Sequence, residues 1–164
     1  MLPQYKTILL AVDLSENSAY ALRHAVSIAQ QHGGKVHLVH ALTEMEPAVL
    51  NYVSTIMGKE RLAEYELQHK EEIRDQMLVD IHDFAKKELL DKPEYLDLIS
   101  SINVHHGDPV FVTLDAGDAI NADLIVIGNH SKGHKVRHAF LGSMAKRLLR
   151  KTLRPVLVVP LPTT

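Results

Sequence analysis

The stretch LIVIGNHSKGHKVRHAFLGSMAKRLLRKTLRPVLVVP, residues 124–160, decides the fold. It opens with the apolar run 124–127 and closes with a second apolar run, 156–159, and each is typical of a buried strand. Between them lie a glycine-containing cationic loop and a helical pattern that begins at Ser143 and runs to Thr152. The order strand, loop, helix, strand is therefore predicted for the last quarter of the chain.

The charge of this last quarter indicates an anionic ligand. Residues 124–164 contain no Asp or Glu but eight of the 18 Lys and Arg, while residues 1–123 hold all 20 acidic residues. Glycines let backbone N–H groups approach a ligand, and a helix N-terminus favours negative charge. A phosphate group is the simplest candidate, and a small anion fits one basic corner better than nucleic acid does. Lys146, Arg147, Arg150 and Lys151 have a plainer interpretation, as the solvated face of a helix.

Upstream of this stretch, the pattern alternates between strands and helices. Apolar residues 7–12 predict a strand ending at Asp13, and Ser15 or Ser18 is a good N-cap for the helix that follows. That helix is expected to end at His32-Gly33-Gly34. The remaining predicted elements are a strand at 35–42, a long amphipathic helix at 59–90, a strand at 98–106 and a helix at 110–119.

Residues 43–58 are ambiguous between a short helix and a loop. Their apolar side chains at 45–57 either pack as core under the long helix, which is the preferred interpretation, or form an interaction surface. No internal repeat or linker divides the chain, so residues 1–164 are expected to form one domain. Strands alternating with helices predict an α/β fold with an open five-stranded parallel sheet and helices on both faces. In such sheets, ligands bind beyond the carboxyl ends of the strands.

Bulk composition excludes several classes of protein. The chain has no cysteine, which excludes a disulfide scaffold and thiol catalysis. No apolar run approaches the ~20 residues that cross a bilayer, so no membrane partner is expected. The N-terminal residues 1–6 show no signal-peptide pattern, and we expect a cytoplasmic protein.

Five fragments in order give the chain a resemblance to the universal stress proteins. Residues 5–15 look like the first strand of that family with its acidic end, 107–109 like the turn before its third helix, and 123–128 like its fourth strand. Residues 141–143 and 154–160 resemble its closing segments. The resemblance implies an adenine-nucleotide alpha-hydrolase-like, Rossmann-like fold.

One branch of that family binds ATP through a Gly-x2-Gly-x9-Gly-Ser/Thr motif. Another branch lacks the motif and does not bind nucleotide. Here Gly128, Gly142 and Ser143 match the motif, Ser131 replaces its second glycine, and the following spacer is one residue longer. By resemblance, Asp13 would lie near the ribose or a nucleotide-bound Mg²⁺, with Ala11 and Ala41 against adenine and ribose. The nucleotide contacts implied for the rest of the site come from Ile127, Gly128, Asn129, His130, Ser131, Lys132, Gly133, Gly142, Ser143 and Met144.

Four of these residues also have a purely structural interpretation. Asp13 could cap the turn into the first helix, and Gly128 and Gly142 could be turn glycines. Ser143 could be the N-cap of the last helix.

His134 and His138, four residues apart, and the adjacent His105 and His106 do not make a zinc site by spacing alone. A further hypothesis is that near-neutral histidines make anion binding depend on pH.

The leading functional prediction is an ATP-binding or related adenine-nucleotide-binding module, with Mg²⁺, that has a regulatory or stress role and little turnover. One alternative is a dimeric member that no longer binds nucleotide and acts through protein interactions, and another is a slow ATPase. The resemblance also implies a homodimer through the strand Val156–Val159, which agrees with the exposed apolar edge that this strand would otherwise present. The downstream protein partner is not indicated by the sequence.

Overall fold

The structure, a computed structural model, describes residues 1–43, 46–129 and 141–162. Eleven elements of secondary structure follow one another in these ranges. The strands are β1 (Thr7–Ala11), β2 (Lys35–Leu42), β3 (Ile99–His106), β4 (Leu124–Gly128) and β5 (Val156–Val159). The helices are α1 (Glu16–His32), α2 (Pro47–Met57), α3 (Lys59–Glu88), α4 (Pro109–Ile120), α5 (Ser143–Lys151) and a 3₁₀ helix (Pro93–Leu98).

The five strands form one parallel sheet in the order β3-β2-β1-β4-β5. Strand order reverses at β1, which pairs with β2 on one side and with β4 on the other. The predicted α/β class and the open five-stranded parallel sheet are confirmed. The reversal places a crevice beyond the carboxyl ends of β1 and β4, where open α/β sheets bind their ligands.

Helices cover both faces of the sheet because its central strands are apolar on both sides. Ile8 and Leu10 of β1 point into a core shared with α1 and α3, whereas Leu9 points into the core under α4 and α5. In β4, Val126 belongs to the first core and Ile125 to the second. This alternation, with every one of these residues at most 2% exposed, is what a parallel strand covered on both faces requires.

The ends of α1 follow the capping signals in the sequence. The Ser15 hydroxyl accepts a hydrogen bond from the Ser18 backbone N–H, and Gly33 ends the helix in the left-handed conformation at φ 64°. Gly34 then passes against β1, where a Cβ would lie 2.6 Å from the Lys6 carbonyl oxygen. Only glycine fits at this crossing of two backbones.

Polar side chains tie the amino edge of the sheet together. The Asp123 carboxylate accepts hydrogen bonds from the backbone N–H groups of Lys6 (3.0 Å) and Thr7 (2.9 Å), which joins the starts of β1 and β4. The Arg154 guanidinium, just before β5, donates to the Ala122 carbonyl oxygen at 2.6 Å. It also donates to the Asp118 carboxylate at 3.1 Å, so the starts of β4 and β5 are held to the end of α4.

The structure departs from the sequence prediction between β2 and β3. The ambiguous segment forms helix α2, and the expectation that it packs as core is wrong, since α2 has no buried residue. Val49, Tyr52 and Ile56 are 44%, 69% and 68% exposed. The 3₁₀ helix was not predicted, because the interval between the helix predicted at 59–90 and the strand predicted at 98–106 was assigned no element. In the described ranges, no helix is long and apolar enough to span a membrane.

Candidate functional site

Small apolar side chains form the floor of the crevice at the carboxyl edge. Ala11 ends β1, and Ala41 lies near the end of the neighbouring strand β2. Both pack against one cluster that also contains Ile127 of β4, Val110 of α4 and Met144 of α5. The structure therefore brings together four of the residues predicted from the sequence, Ala11, Ala41, Ile127 and Met144. The small side chains of Ala11, at the end of β1, and Ala41, one residue before the end of β2, suit contact with a flat apolar group.

Asp13 caps the turn between β1 and α1. Its Oδ1 accepts hydrogen bonds from the Ser15 backbone N–H (3.0 Å), the Ser15 hydroxyl and the Ser18 hydroxyl (2.6 Å). The Ser18 hydroxyl accepts in turn from the Asp13 backbone N–H at 2.9 Å. The capping interpretation of Asp13 is thus confirmed. The residue is nevertheless exposed at the crevice, where its carboxylate provides a negative charge.

Leu14, the next residue, has a positive φ of 64°. A side chain other than glycine at such a φ is uncommon and costs about 1–2 kcal/mol relative to the right-handed conformation. Residues held in this way are found preferentially at functional sites. The turn beside Asp13 is therefore strained at the point where the strand order reverses.

Gly128 has a packing role at the end of β4. A Cβ at this position would lie 2.9 Å from the Asn17 carbonyl oxygen and 3.0 Å from the Asn17 Cβ. The first turn of α1 therefore approaches β4 so closely that no side chain fits between them. This reason for the glycine is separate from the phosphate-binding role that the motif implies.

Asn129 joins the end of β4 to the start of α5. Its backbone N–H donates to the Val159 carbonyl oxygen at 2.9 Å, and its side-chain Oδ1 accepts from the Gly142 backbone N–H at 3.0 Å. Sequence reasoning included Asn129 among the nucleotide contacts and missed this bond. An Asn directly after a buried strand was its signal, since such side chains bond to nearby backbone.

Helix α5 begins with its N-terminus toward the crevice. Gly142 is the N-cap, and Ser143 is the first helical residue, so the prediction of Ser143 as N-cap is wrong. As a glycine, Gly142 has no side chain that could cap the helix, and its own N–H is bonded to Asn129 Oδ1. The backbone N–H groups of its first turn, including those of Ser143 and Met144, have no partner inside the helix and favour an anion.

The central part of the predicted loop lies outside the described residues. This applies to His130, Ser131, Lys132 and Gly133, and also to His134 and His138. The predicted contacts of these residues remain predictions.

An ion pair that sequence reasoning did not identify connects α4 and α5. The Arg147 Nη2 lies 3.0 Å from Oδ2 of Asp108, the N-cap residue of α4. Desolvation raises the pKa of the Asp108 carboxyl. The hydrogen bond from Arg147, those from the Val110 and Phe111 backbone N–H groups, and the Arg147 charge outweigh it, so this pKa lies below its ordinary value. The pair therefore carries both charges at neutral pH.

Two histidines of β2 bond to the neighbouring strand β3 or to the residue that follows β1. His40 Nδ1 is bonded to the Val12 carbonyl oxygen, one residue before Asp13, which fixes a proton on Nδ1. His37 Nδ1 lies 2.8 Å from the Ser101 hydroxyl, and burial lowers the pKa of His37 below its ordinary value.

The Asp13 carboxylate suits a metal ion that binds together with a phosphate ligand. In the described ranges, no group of three or more His, Asp or Glu side chains is placed to hold a metal ion. Mg²⁺ commonly uses one or two protein carboxylates together with substrate phosphates. The single carboxylate of Asp13 fits a Mg²⁺ ion whose other ligands are phosphate oxygens and water.

Solved structures with this fold include nucleotide complexes. The structure of protein MJ0577 matches with a TM-score of 0.67 at 24% identity and covers 98% of this chain and 99% of that one. A universal stress protein in complex with cAMP matches with a TM-score of 0.59 at 20% identity, covering 95% and 97%. One from Archaeoglobus fulgidus in complex with dAMP matches with a TM-score of 0.50 at 22% identity, covering 94% and 98%. At these identities, the likeness shows the fold.

Sequence relatives agree with this fold over nearly the whole chain. Universal stress protein MJ0577 of Methanocaldococcus jannaschii is 28% identical over 159 residues, which cover 94% of each chain. A universal stress protein of Thermus aquaticus is 32% identical over 155 residues, covering 94% of this chain and 98% of the relative. The family model of the universal stress proteins matches residues 4–160. The chain therefore belongs to the universal stress protein family.

Proposed function

We propose that this protein binds ATP, or a related adenine nucleotide, with Mg²⁺ in the crevice between β1 and β4, and that binding serves a regulatory or stress role. The observation that carries the proposal is the position of three features around one crevice. These are the alanine floor at Ala11 and Ala41, the carboxylate of Asp13, and the N-terminus of α5. They suit, in order, the adenine and ribose, the ribose or a phosphate-bound Mg²⁺, and a phosphate group.

The comparisons support the choice of adenine. Two structures with this fold were solved with cAMP and with dAMP, and both ligands carry an adenine base and a phosphate. In the proposed complex, the loop from Gly128 through His130, Ser131 and Lys132 to Gly133 would wrap the phosphates. Gly142, Ser143 and Met144 would lie beneath them.

Little turnover is part of the proposal. A nucleophilic serine needs a base within hydrogen-bond reach, and in the part of the chain that the structure describes no histidine bonds to the Ser143 hydroxyl. Asp13 is engaged by two serines in the α1 cap, which suits a positioning role better than proton transfer.

The proposed assembly is a homodimer through β5, in the cytoplasm. β5 is the outer strand beside β4, and Val156, Leu157 and Val158 are only partly buried. An unpaired apolar edge favours pairing with another strand. Pro155 and Pro160, on either side of the strand, would limit the pairing to its four residues.

A second candidate function is a dimeric protein that has lost nucleotide binding. The Asn129 side chain occupies the Gly142 N–H, one of the groups that the motif offers to a phosphate, and this observation favours the alternative. Ser131 in place of the second glycine points the same way.

Isothermal titration calorimetry with Mg-ATP separates the two candidates. The leading proposal predicts saturable binding of one nucleotide per chain and a rise in melting temperature with ATP concentration. GTP at the same concentration is the control for the base. Absence of both heat and melting shift at millimolar ATP would leave the second candidate. Mass spectrometry of the denatured protein would identify any nucleotide that copurifies.

A further inference from the structure

The Asp108–Arg147 pair joins the N-cap residue of α4 to the middle of α5 at the edge of the crevice. Asp108 lies in the turn after β3 and caps α4, while Arg147 lies four residues after Ser143 on α5. Val110 of α4 and Met144 of α5 belong to the same cluster as Ala11. The pair therefore stands beside the floor on which the proposed nucleotide would lie.

The two oxygens of Asp108 have separate partners. Oδ1 accepts from the backbone N–H groups of Val110 (2.9 Å) and Phe111 (3.4 Å), and this bonding caps α4. Oδ2 accepts from Arg147 at 3.0 Å. If Arg147 moved away, Asp108 would keep its cap and its bonds to α4.

Arg147 has donors to spare. Among the described residues, its guanidinium bonds only to Asp108, and a guanidinium carries five N–H groups. The side chains of Arg147 and Asp108 are 44% and 37% exposed. Solvent therefore screens their charges, and the ion pair is weak. Four residues of α-helix rise about 6 Å, and helical side chains lean toward the N-terminus, which directs Arg147 toward the first turn of α5.

We infer that Arg147 is a phosphate-sensing residue, which leaves Asp108 and bonds to a phosphate oxygen when the proposed nucleotide binds. The inference rests on the proposed function. A phosphate offers Arg147 a charge-assisted, two-pronged contact that a screened single bond to Asp108 does not match. Asp108 then acts as a competitor for Arg147 and lowers the affinity of the site for phosphate.

The test compares Asp108→Asn, Arg147→Ala and the double variant by calorimetry with Mg-ATP and with adenosine. Asn replaces Asp well as an N-cap, so Asp108→Asn keeps α4 capped while it weakens the hold on Arg147. We expect Asp108→Asn to bind ATP about two- to fivefold more tightly, as the loss of an exposed ion pair allows. Arg147→Ala should bind ATP at least about tenfold more weakly, because a charged hydrogen bond to phosphate is lost.

Two controls separate this role from a structural one. Neither single variant should change adenosine affinity, and the gain from Asp108→Asn should vanish in the double variant. Arg150→Ala removes the same charge from an exposed position of α5 and should change ATP affinity by less than about twofold at 0.15 M salt. Urea unfolding checks that each variant is folded.

A purely structural bridge predicts the opposite sign for Asp108→Asn. Wild-type protein that binds ATP, with equal or weaker binding by Asp108→Asn, overturns this inference and leaves the proposed function standing. An equal loss of ATP and adenosine binding in Arg147→Ala also overturns it. Wild-type protein that binds no ATP overturns the proposed function, and this inference with it.

Discussion

The two edges of the sheet are built differently. At the amino edge, polar groups bond to backbone across elements, as Asp123 does to Lys6 and Thr7 and as Arg154 does to the Ala122 carbonyl oxygen. At the carboxyl edge, β1 ends in alanine and β4 in glycine, the turn at Leu14 has a positive φ, and the N-cap residue of α5 is a glycine. The difference agrees with the proposal that the carboxyl edge receives a ligand, while bonds at the amino edge stabilise the fold.

The largest effect is expected at the amino edge, from Gly34→Ala. The new Cβ would lie 2.6 Å from the Lys6 carbonyl oxygen, and backbone cannot move aside as a flexible side chain can. We expect the free energy of unfolding to fall by about 3 kcal/mol, at the upper end of overpacking costs. Urea unfolding measures this change.

Gly33→Ala is the matched control for that substitution. Its Cβ would meet nothing within 4 Å, so only its φ of 64° matters, at a cost of about 1–2 kcal/mol. Equal losses in the two variants would show that the close approach of Gly34 to β1 contributes nothing.

Arg154→Ala should have the next largest effect. The Arg154 side chain is only 22% exposed, and its removal breaks the hydrogen bonds to Ala122 and Asp118. The Ala122 carbonyl oxygen then loses the hydrogen bond from Arg154. We expect a loss of about 2 kcal/mol in the free energy of unfolding, with unchanged ATP affinity in the folded protein. A stability change below that of the surface variant Arg150→Ala, itself expected within about 0.5 kcal/mol, would contradict this role.

Asp13→Asn tests the carboxyl edge, where function should change more than stability. The amide oxygen of Asn can still accept the bonds from Ser15 and Ser18, so the free energy of unfolding should fall by less than about 1 kcal/mol. Removal of the charge should weaken Mg-ATP binding about tenfold, as expected for one lost metal ligand. Unchanged affinity for Mg-ATP, measured by calorimetry, would restrict Asp13 to capping α1.

The smallest effect concerns pH. Because burial lowers the pKa of His37, the unfolded chain binds a proton more readily than the folded chain does. The stability that the neutral His37 side chain contributes is complete above the ordinary histidine pKa of about 6.5 and is lost as the pH falls below it toward the folded value.

His37→Gln should therefore flatten the dependence of unfolding free energy on pH between 5.5 and 8. His82→Gln, at an exposed position of α3, is the control. An identical pH slope in wild type and His37→Gln would contradict the assignment.

The sequence predicted the sheet well because β1, β4 and β5 are continuous apolar runs. β4 and β5 could be located from the runs at 124–127 and 156–159, and α1 from Ser15 and Gly33. Local chemistry determines these elements, so a single sequence contains the necessary information.

Features that depend on contacts between distant parts of the chain were not predictable in the same way. Nothing near Gly128 in sequence indicates that Asn17 lies against it, and nothing near Asp108 indicates Arg147. Segment α2 was expected to be core, but among the described elements it packs mainly against α3, and none of its residues is buried. Burial of an apolar helix depends on what packs against it, which its own sequence does not state.

A titration of ¹⁵N-labelled protein with Mg-ATP, followed by NMR of the backbone amides, tests the contrast between the edges most directly. Ligand-dependent shifts should be concentrated at the carboxyl edge, at Asp13, Asn129, Ser143 and Met144. The amides of Lys6, Thr7 and Asp123, at the opposite edge, should keep their positions. Shifts concentrated at the amino edge, or a spectrum unchanged at millimolar Mg-ATP, would contradict the assignment of the carboxyl edge as the nucleotide site.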